Sequence, residues 1–135
     1  MITAVDTNVL LDTFLASPEF GARSREALRR SLREGALVAC EAVWAEVTAA
    51  FGATAQAEQA LAQLGVDYSA MTSEAASEAG AAWKAYRDRG GRRTRVIADF
   101  LIGAHALDRA DRLLTRDRGF YRSYFGRLRV LDPAA

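Results

Sequence analysis

The sequence predicts a three-layer α/β/α sandwich built on a short central, mainly parallel sheet. Short apolar segments of strand length alternate along the whole chain with segments of helical periodicity, the pattern of parallel strands joined by helices. Such strands are covered on both faces, so helices are expected on both sides of the sheet. The chain has 135 residues and is 50% hydrophobic, which suits one domain, 1–135, whose core needs no disulfide or metal.

The N-terminal half predicts two strands and four helices. An apolar run at 2–5 stops at the cap former Asp6, and the helix that follows is interrupted at Pro18. Gly35 ends an amphipathic helix just before the second strand. The expected strands are 2–5 and 36–40, and the expected helices are one after Asn8 and those at 23–34, 41–51 and 54–64.

The C-terminal half continues the alternation. An extended segment at 66–69 precedes a helix that Thr72 or Ser73 caps. Gly90 and Gly91 then start a flexible basic loop, and the next helix has a continuous apolar face. The expected elements here are a helix to about Arg89, a helix with its core face from Val96 to Leu107, strands 112–115 and 128–131, and a helical turn at 120–125.

Charge is distributed unevenly, although the net charge is only +1. Residues 34–83 contain seven acids and no base, whereas residues 84–135 contain thirteen bases against six acids. Seventeen of the eighteen bases are arginine, whose guanidinium binds phosphate through two parallel hydrogen bonds and stacks on nucleic-acid bases. Genomic codon bias explains the arginine preference equally well. The C-terminal part is therefore a candidate for contact with a polyanion.

Several classes of protein are excluded or disfavoured. No apolar run approaches the ~18 residues of a membrane span, and acids occupy the N-terminal region where a signal peptide has basic residues, so we expect a cytoplasmic protein with no membrane partner. Cys40 and His105 are each the only residue of their type, which excludes an intrachain disulfide and disfavours a zinc site. No serine lies in a Gly-x-Ser-x-Gly elbow, so a serine-hydrolase triad is not expected and His105 is interpreted as structural.

Four carboxylates form a candidate site. Asp6 and Asp117 lie just past the ends of two predicted strands, and open parallel sheets bind ligands outside the carboxyl ends of their strands. Glu46 and Asp99 lie on helices beside apolar stripes, where a partly buried carboxylate needs a compensating charge. Carboxylate oxygens are suitable ligands for Mg²⁺ or Mn²⁺.

Each of these acids also has a structural explanation. Asp6 is placed to cap a helix, a role worth ~1 kcal/mol, and Asp117 is placed as a turn residue next to arginines. Asp99 follows Arg95 by one helical turn, and Glu46 has the option of pairing with an arginine from another element. The argument for a metal site therefore depends on the four acids as a set.

At these segments the chain resembles a known family. The segments are VDTNVLL at 5–11, Glu46 on its apolar helix, ADFLIGAHA at 98–106 and LTRDRGFY at 114–121. They resemble a PIN domain and, more closely, a VapC-type toxin ribonuclease, over nearly the whole chain. The resemblance implies that Asp6, Glu46, Asp99 and Asp117 bind Mg²⁺ or Mn²⁺ and that Thr7, Asn8 and Thr115 support them. Glu41 competes with Glu46 for the assignment, although a helix dipole explains its position.

The resemblance also implies an activity and partners. The activity is hydrolysis of RNA phosphodiester bonds by metal-activated water, leaving a 5′-phosphate and a 3′-hydroxyl. The partners are RNA, a cognate VapB-like antitoxin and a second copy of the chain in a homodimer. The arginines expected to bind RNA are Arg92, Arg93, Arg95, Arg116 and Arg118. Phe120, Tyr121, Tyr124 and Phe125 either stack on unpaired bases or pack as a core.

Two other functions fit parts of the sequence. An aspartyl-phosphate phosphohydrolase of the haloacid dehalogenase kind also begins with a strand that ends in Asp. However, Asn8 stands where that class has a second acid, and the sole lysine, Lys84, lies on a surface-type helix. A catalytically inert PIN-fold module that binds RNA or protein is the second alternative, and the presence of all four acids argues against it.

Overall fold

In a computed structural model that describes residues 1–92 and 95–134, five strands form one sheet. Their bounds are β1 (Ile2–Val5), β2 (Ala36–Ala39), β3 (Val66–Tyr68), β4 (Arg112–Leu114) and β5 (Val130–Leu131). All four strand pairs are parallel, which confirms the predicted fold class. The strands are one or two residues shorter than predicted, except β1, which has the predicted bounds.

Seven helices are present within the described residues. The first lies close to its predicted position, the fourth has the predicted bounds, and Thr72 caps the fifth. Gly21 begins the second helix and Arg118 begins the seventh, both two residues earlier than predicted. The helices are α1 (Thr7–Phe14), α2 (Gly21–Glu34), α3 (Glu41–Ala49), α4 (Thr54–Leu64), α5 (Ser73–Asp88), α6 (Ile97–Arg109) and α7 (Arg118–Tyr124). None of the helices in the described ranges is long and apolar enough to cross a membrane.

The strand order places a topological switch point in the middle of the sheet. The order is β3-β2-β1-β4-β5, so the chain moves outward from β1 in one direction and then returns to add β4 and β5 on the other side. Val5 pairs with Leu114, and the backbone N–H of Asp6 donates to the carbonyl of Leu114 at 2.9 Å. Since ligand sites of open parallel sheets form where the strand order reverses, the residues after β1 and β4 are in the expected position.

The core beside this switch point contains a cluster of aromatic rings. Phe100 of α6 packs edge-on against Phe120, with ring centroids 5.1 Å apart, and also contacts Tyr124 and Phe125. Phe120, Tyr121 and Phe125 are buried, and Tyr124 is partly buried. These four rings therefore pack as a core, and the alternative that they stack on bases does not fit their burial.

Candidate active site

A cleft at the switch point brings the four predicted acids together. It has a volume of about 380 Å³ and opens at the carboxyl ends of β1 and β4. Each acid comes from a different part of the chain: the end of β1, α3, the first turn of α6 and the segment after β4. The residues that line the cleft are Asp6, Thr7, Asn8, Leu11, Glu46, Arg95, Asp99 and Asp117.

Asp6 is the most buried of the four carboxylates, with 5% of the residue exposed. Its Oδ1 accepts the backbone N–H of Thr7 at 2.8 Å, so it caps α1 as the local sequence predicts. Its Oδ2 accepts the hydroxyl of Thr115 at 2.7 Å and the side-chain amide of Asn8 at 3.3 Å. Capping and participation in the cleft are therefore compatible, because the two oxygens face different partners.

Burial has the largest effect on the pKa of Asp6. Desolvation raises the pKa of its carboxyl to about 6, against hydrogen bonds from Thr115 and Thr7 that lower it. The hydroxyl of Tyr121 lies close enough to lower the pKa as well, although among the described residues this buried hydroxyl has no partner in hydrogen-bond geometry. Asp99 adds a smaller repulsion that raises the pKa further. A nearby cation would therefore favour the ionised form of Asp6 strongly.

Glu46 is exposed, not partly buried as predicted, and Thr7 holds it at the cleft. The Thr7 hydroxyl donates to Oε1 of Glu46 at 2.7 Å, which links the start of α1 to α3. Glu41, the competing acid on the same helix, instead accepts the backbone N–H of Met71 with both oxygens, at 3.0 and 3.2 Å. The structure therefore places Glu46 in the cleft, with Glu41 bonded to the loop before α5.

Asp99 and Asp117 share one arginine. The guanidinium of Arg95 forms an ion pair with Asp117 and lies 3.8 Å from the Asp99 carboxylate, and it stacks over the ring of Phe120 at 4.3 Å. Burial raises the pKa of Asp99, and the charge of Arg95 opposes this increase. The pairing of Asp99 with Arg95 is the one anticipated from their spacing on the helix.

Thr115 and Asn8 connect the two sides of the cleft. Thr115 is fully buried; its hydroxyl donates to Asp6 and accepts the backbone N–H of Asp117 at 2.9 Å. The side-chain oxygen of Asn8 accepts the backbone N–H of Arg116 at 3.3 Å. These bonds tie the turn after β4 to the start of α1 and fix Asp6 relative to the backbone of Asp117.

The predicted RNA-binding arginines differ in their surroundings. Arg116 donates to both oxygens of the buried Asp12, at 2.7 and 3.1 Å, and stacks over Phe20. Arg118 pairs with Asp132 at 2.8 Å. Arg95 lies in the cleft, Arg92 is exposed beside it, and Arg93 lies outside the described residues.

Sequence reasoning missed two features of the site. The first is the phenol of Tyr121, whose hydroxyl approaches Asp6 from the core side and which the sequence presents only as one aromatic residue among several. The second is Asp12, which is buried and also accepts the Ser24 hydroxyl at 2.9 Å. The available signal for Asp12 was an acid within the mostly apolar stretch 9–14 of the first predicted helix.

The fold and the cleft together define an α/β protein with an acidic cleft at the topological switch point of its sheet. Residues 3–126 match the PIN domain family. The chain belongs to the PIN domain family, which confirms the resemblance seen in its sequence. Comparison with curated proteins gives no significant match.

Solved structures with the same fold come from toxin–antitoxin complexes. The chain is similar to one from VapBC2 of Rickettsia felis bound to a promoter DNA fragment, with a TM-score of 0.74, 17% identity and 98% of each chain covered. It is also similar to one from VapBC-1 of nontypeable Haemophilus influenzae, with a TM-score of 0.73, 18% identity and 100% of each chain covered. DNA-bound VapBC of Salmonella typhimurium gives a TM-score of 0.70, 20% identity and 98% of each chain covered. These similarities show a shared fold.

Proposed function

We propose that this chain is a VapC-like toxin, a metal-dependent endoribonuclease that hydrolyses RNA phosphodiester bonds. The observation that carries the proposal is the convergence of four carboxylates from four separate elements on one cleft at the switch point. A set of structural acids would be expected to have separate partners on separate surfaces. The family membership and the VapBC structures of the same fold support the same function.

The cleft suits Mg²⁺ or Mn²⁺. Its acidic lining offers oxygen ligands, which hard divalent cations prefer, and burial of Asp6 makes a nearby positive charge favourable. Among residues 1–92 and 95–134, no group of three Asp, Glu, His or Cys side chains is already arranged to hold a metal ion. The Arg95 guanidinium lies against Asp99 and Asp117 and supplies positive charge there. Asp6, Glu46, Asp99 and Asp117 would hold the ion once Arg95 moves aside.

A bound divalent cation would activate water for in-line attack and neutralise charge on the leaving oxygen. The chain's own residues orient this chemistry. Thr115 holds Asp6 and the backbone of Asp117 in fixed relative positions, and Thr7 holds Glu46. Arg95, freed from its carboxylate partners, would be positioned to bind a substrate phosphate.

The proposal extends to partners. The VapBC structures contain antitoxins, and we infer that a VapB-like antitoxin restrains this chain and that the chain forms a homodimer. The phosphohydrolase alternative has less support, because its lysine, Lys84, is bonded to Asp88 on the exposed side of α5 and does not line the cleft. A catalytically inert PIN-fold module would cleave no RNA, so an assay of RNA cleavage distinguishes this alternative from the proposal.

The test is cleavage of purified cellular RNA by the purified chain. Cleavage is expected with Mg²⁺ or Mn²⁺ and not with EDTA, and Asp6→Asn and Asp99→Asn are expected to abolish it. Asp88→Asn is the matched control, since it makes the same change in an exposed ion pair on α5. Cleavage that persists in EDTA or in Asp6→Asn would contradict the proposal, and acid-labile phosphate on Asp6 would instead identify the phosphohydrolase.

A further inference from the structure

A second concavity adjoins the carboxylate cleft. It lies where the C-terminal end of α5 meets the N-terminal start of α6 and has a volume of about 360 Å³, at the low end of the ~300–1,000 Å³ range of small-ligand pockets. We call it the α5–α6 groove. Its lining residues are Trp83, Tyr86, Arg87, Gly91, Arg92, Arg95, Val96 and Ile97.

One wall of the groove is fixed by Tyr86. Its hydroxyl donates to the backbone carbonyl of Arg92 at 2.7 Å, and its ring packs against Phe100 and Tyr124 of the core. Gly91 lies directly against this ring: a Cβ at that position would be 2.4 Å from Cε1 of Tyr86. Only glycine permits this approach. The backbone at Gly91 therefore lies directly against the phenol of Tyr86, and this contact fixes one wall of the groove.

The lining combines apolar surface with positive charge. Val96 is 52% exposed although it is apolar, and Trp83 and Ile97 extend the apolar surface. Among the described residues, the lining also includes three arginines and no acid. The guanidinium of Arg87 stacks 4.4 Å from the ring centroid of Trp83, so an aromatic face and a cation lie together.

The combination of apolar surface and positive charge limits which ligands fit the groove. A nucleotide has a planar apolar base and an anionic phosphate, and aromatic and arginine side chains are the usual partners of unpaired bases. An apolar peptide or a lipid chain would offer no anion to the guanidiniums of Arg87 and Arg92, which line the groove. A base in a double helix would be unable to enter, because its faces are stacked on its neighbours.

Arg95 connects the groove to the cleft. It lines both, and on the cleft side its guanidinium meets Asp117 and Asp99. We propose that the α5–α6 groove binds the base of an unpaired nucleotide next to the scissile phosphodiester. This inference rests on the proposed ribonuclease function for the identity of the ligand.

Trp83 provides a direct measurement of binding. The chain has two tryptophans, so Trp44→Phe leaves Trp83 as the only one. A short single-stranded RNA of mixed sequence, added in EDTA so that no cleavage occurs, is expected to quench Trp83 fluorescence. The same RNA annealed to its complement is expected to quench it much less. In the reciprocal Trp83→Phe variant the remaining Trp44, which packs against Tyr68, is expected to be unaffected.

Val96→Glu tests the groove without removing core packing. It adds a negative charge to an exposed wall and is expected to weaken single-stranded RNA binding by about tenfold or more, measured by fluorescence anisotropy. With Mn²⁺ present, KM is expected to rise more than kcat falls. Leu15→Glu is the matched control, because Leu15 is also an exposed apolar residue, at the end of α1.

The possible outcomes distinguish a failure of the groove inference from a failure of the proposed nuclease function. Quenching of Trp83 by single-stranded RNA in a chain that cleaves no RNA would support the groove and refute the proposed function. Asp6-dependent cleavage with no quenching, and with Val96→Glu behaving as the parent, would overturn the groove alone. Quenching by an oligo-glutamate peptide but not by RNA would assign the groove to an acidic protein segment and overturn the inference. A change in the sedimentation of the free chain on Val96→Glu would assign the groove to a contact between copies of the chain. That result would also overturn the inference.

Discussion

The guanidinium of Arg95 is bonded to Asp117 and lies 3.8 Å from Asp99, so the cleft contains a cation of its own. The two carboxylates come from α6 and from the turn after β4, and the single positive charge of Arg95, just before α6, offsets part of their combined negative charge. A guanidinium in this position competes with any metal ion that needs the same oxygens. Binding of such an ion would therefore require displacement of the Arg95 guanidinium.

Arg95→Gln is expected to tighten Mn²⁺ binding. The Arg95 side chain is 29% exposed, so each pair is partly screened and is worth ~0.2–1 kcal/mol, which corresponds to a gain in affinity of up to about fivefold for each pair that the ion displaces. Titration calorimetry measures the change directly. Arg118→Gln is the control, since Arg118 pairs with Asp132 and does not line the cleft. Equal affinities in the parent and Arg95→Gln would show that Arg95 does not compete with the ion.

Asp6→Asn is expected to stabilise the protein at neutral pH. Burial raises the pKa of Asp6 from 3.8 in the unfolded chain to about 6 in the fold. Between these values the unfolded chain releases its proton while the native state keeps it, so this group lowers stability as pH rises. The difference between Asp6→Asn and the parent should grow from near zero at pH 4 to as much as about 3 kcal/mol above pH 6.

Urea unfolding of both proteins across this pH range measures that difference. The test is independent of catalysis, because it needs neither RNA nor metal. A parent protein that is more stable than Asp6→Asn at pH 7 would contradict the raised pKa.

Arg116→Met is expected to destabilise the fold. It removes both guanidinium bonds to Asp12, whose side chain is only 7% exposed, and leaves that carboxylate with the Ser24 hydroxyl. The expected loss is about 3 kcal/mol in the free energy of unfolding. Arg118→Met, which breaks a more exposed pair, is expected to lose less than about 1 kcal/mol. A similar small loss in both variants would mean that the Asp12 pair is not structural and that Arg116 is free to meet RNA.

Two helix glycines are expected to respond oppositely to alanine. A Cβ on Gly103 of α6 would lie 2.4 Å from the Phe125 ring, so Gly103→Ala should lower the melting temperature through a clash worth ~1–3 kcal/mol. A Cβ on Gly80 of α5 meets nothing within 4 Å, so Gly80→Ala should stabilise the helix by ~0.5–1 kcal/mol. Thermal unfolding of the pair distinguishes packing from helix propensity. Stabilisation by both variants would contradict the close contact of α6 with Phe125.

The sequence by itself determined the fold class, the order of the elements and the placement of Asp6 and Asp117 at one edge of the sheet. Strand and helix periodicity and cap residues are local properties, so the helix at 54–64 and the Thr72 cap follow from nearby residues alone. Asp6 and Asp117 were predictable because both lie near the carboxyl ends of parallel strands, whose positions in a sheet are governed by general rules.

Tertiary structure alone decided which side chains meet. Glu41 and Glu46 lie on the same helix, and only the placement of α1 and the loop before α5 directs Glu46 to Thr7 and Glu41 to Met71. The approach of Tyr121 to Asp6 depends in the same way on how α7 packs against α6. Such contacts join residues far apart in the chain, and their existence depends on the relative positions of whole elements, which no local pattern encodes.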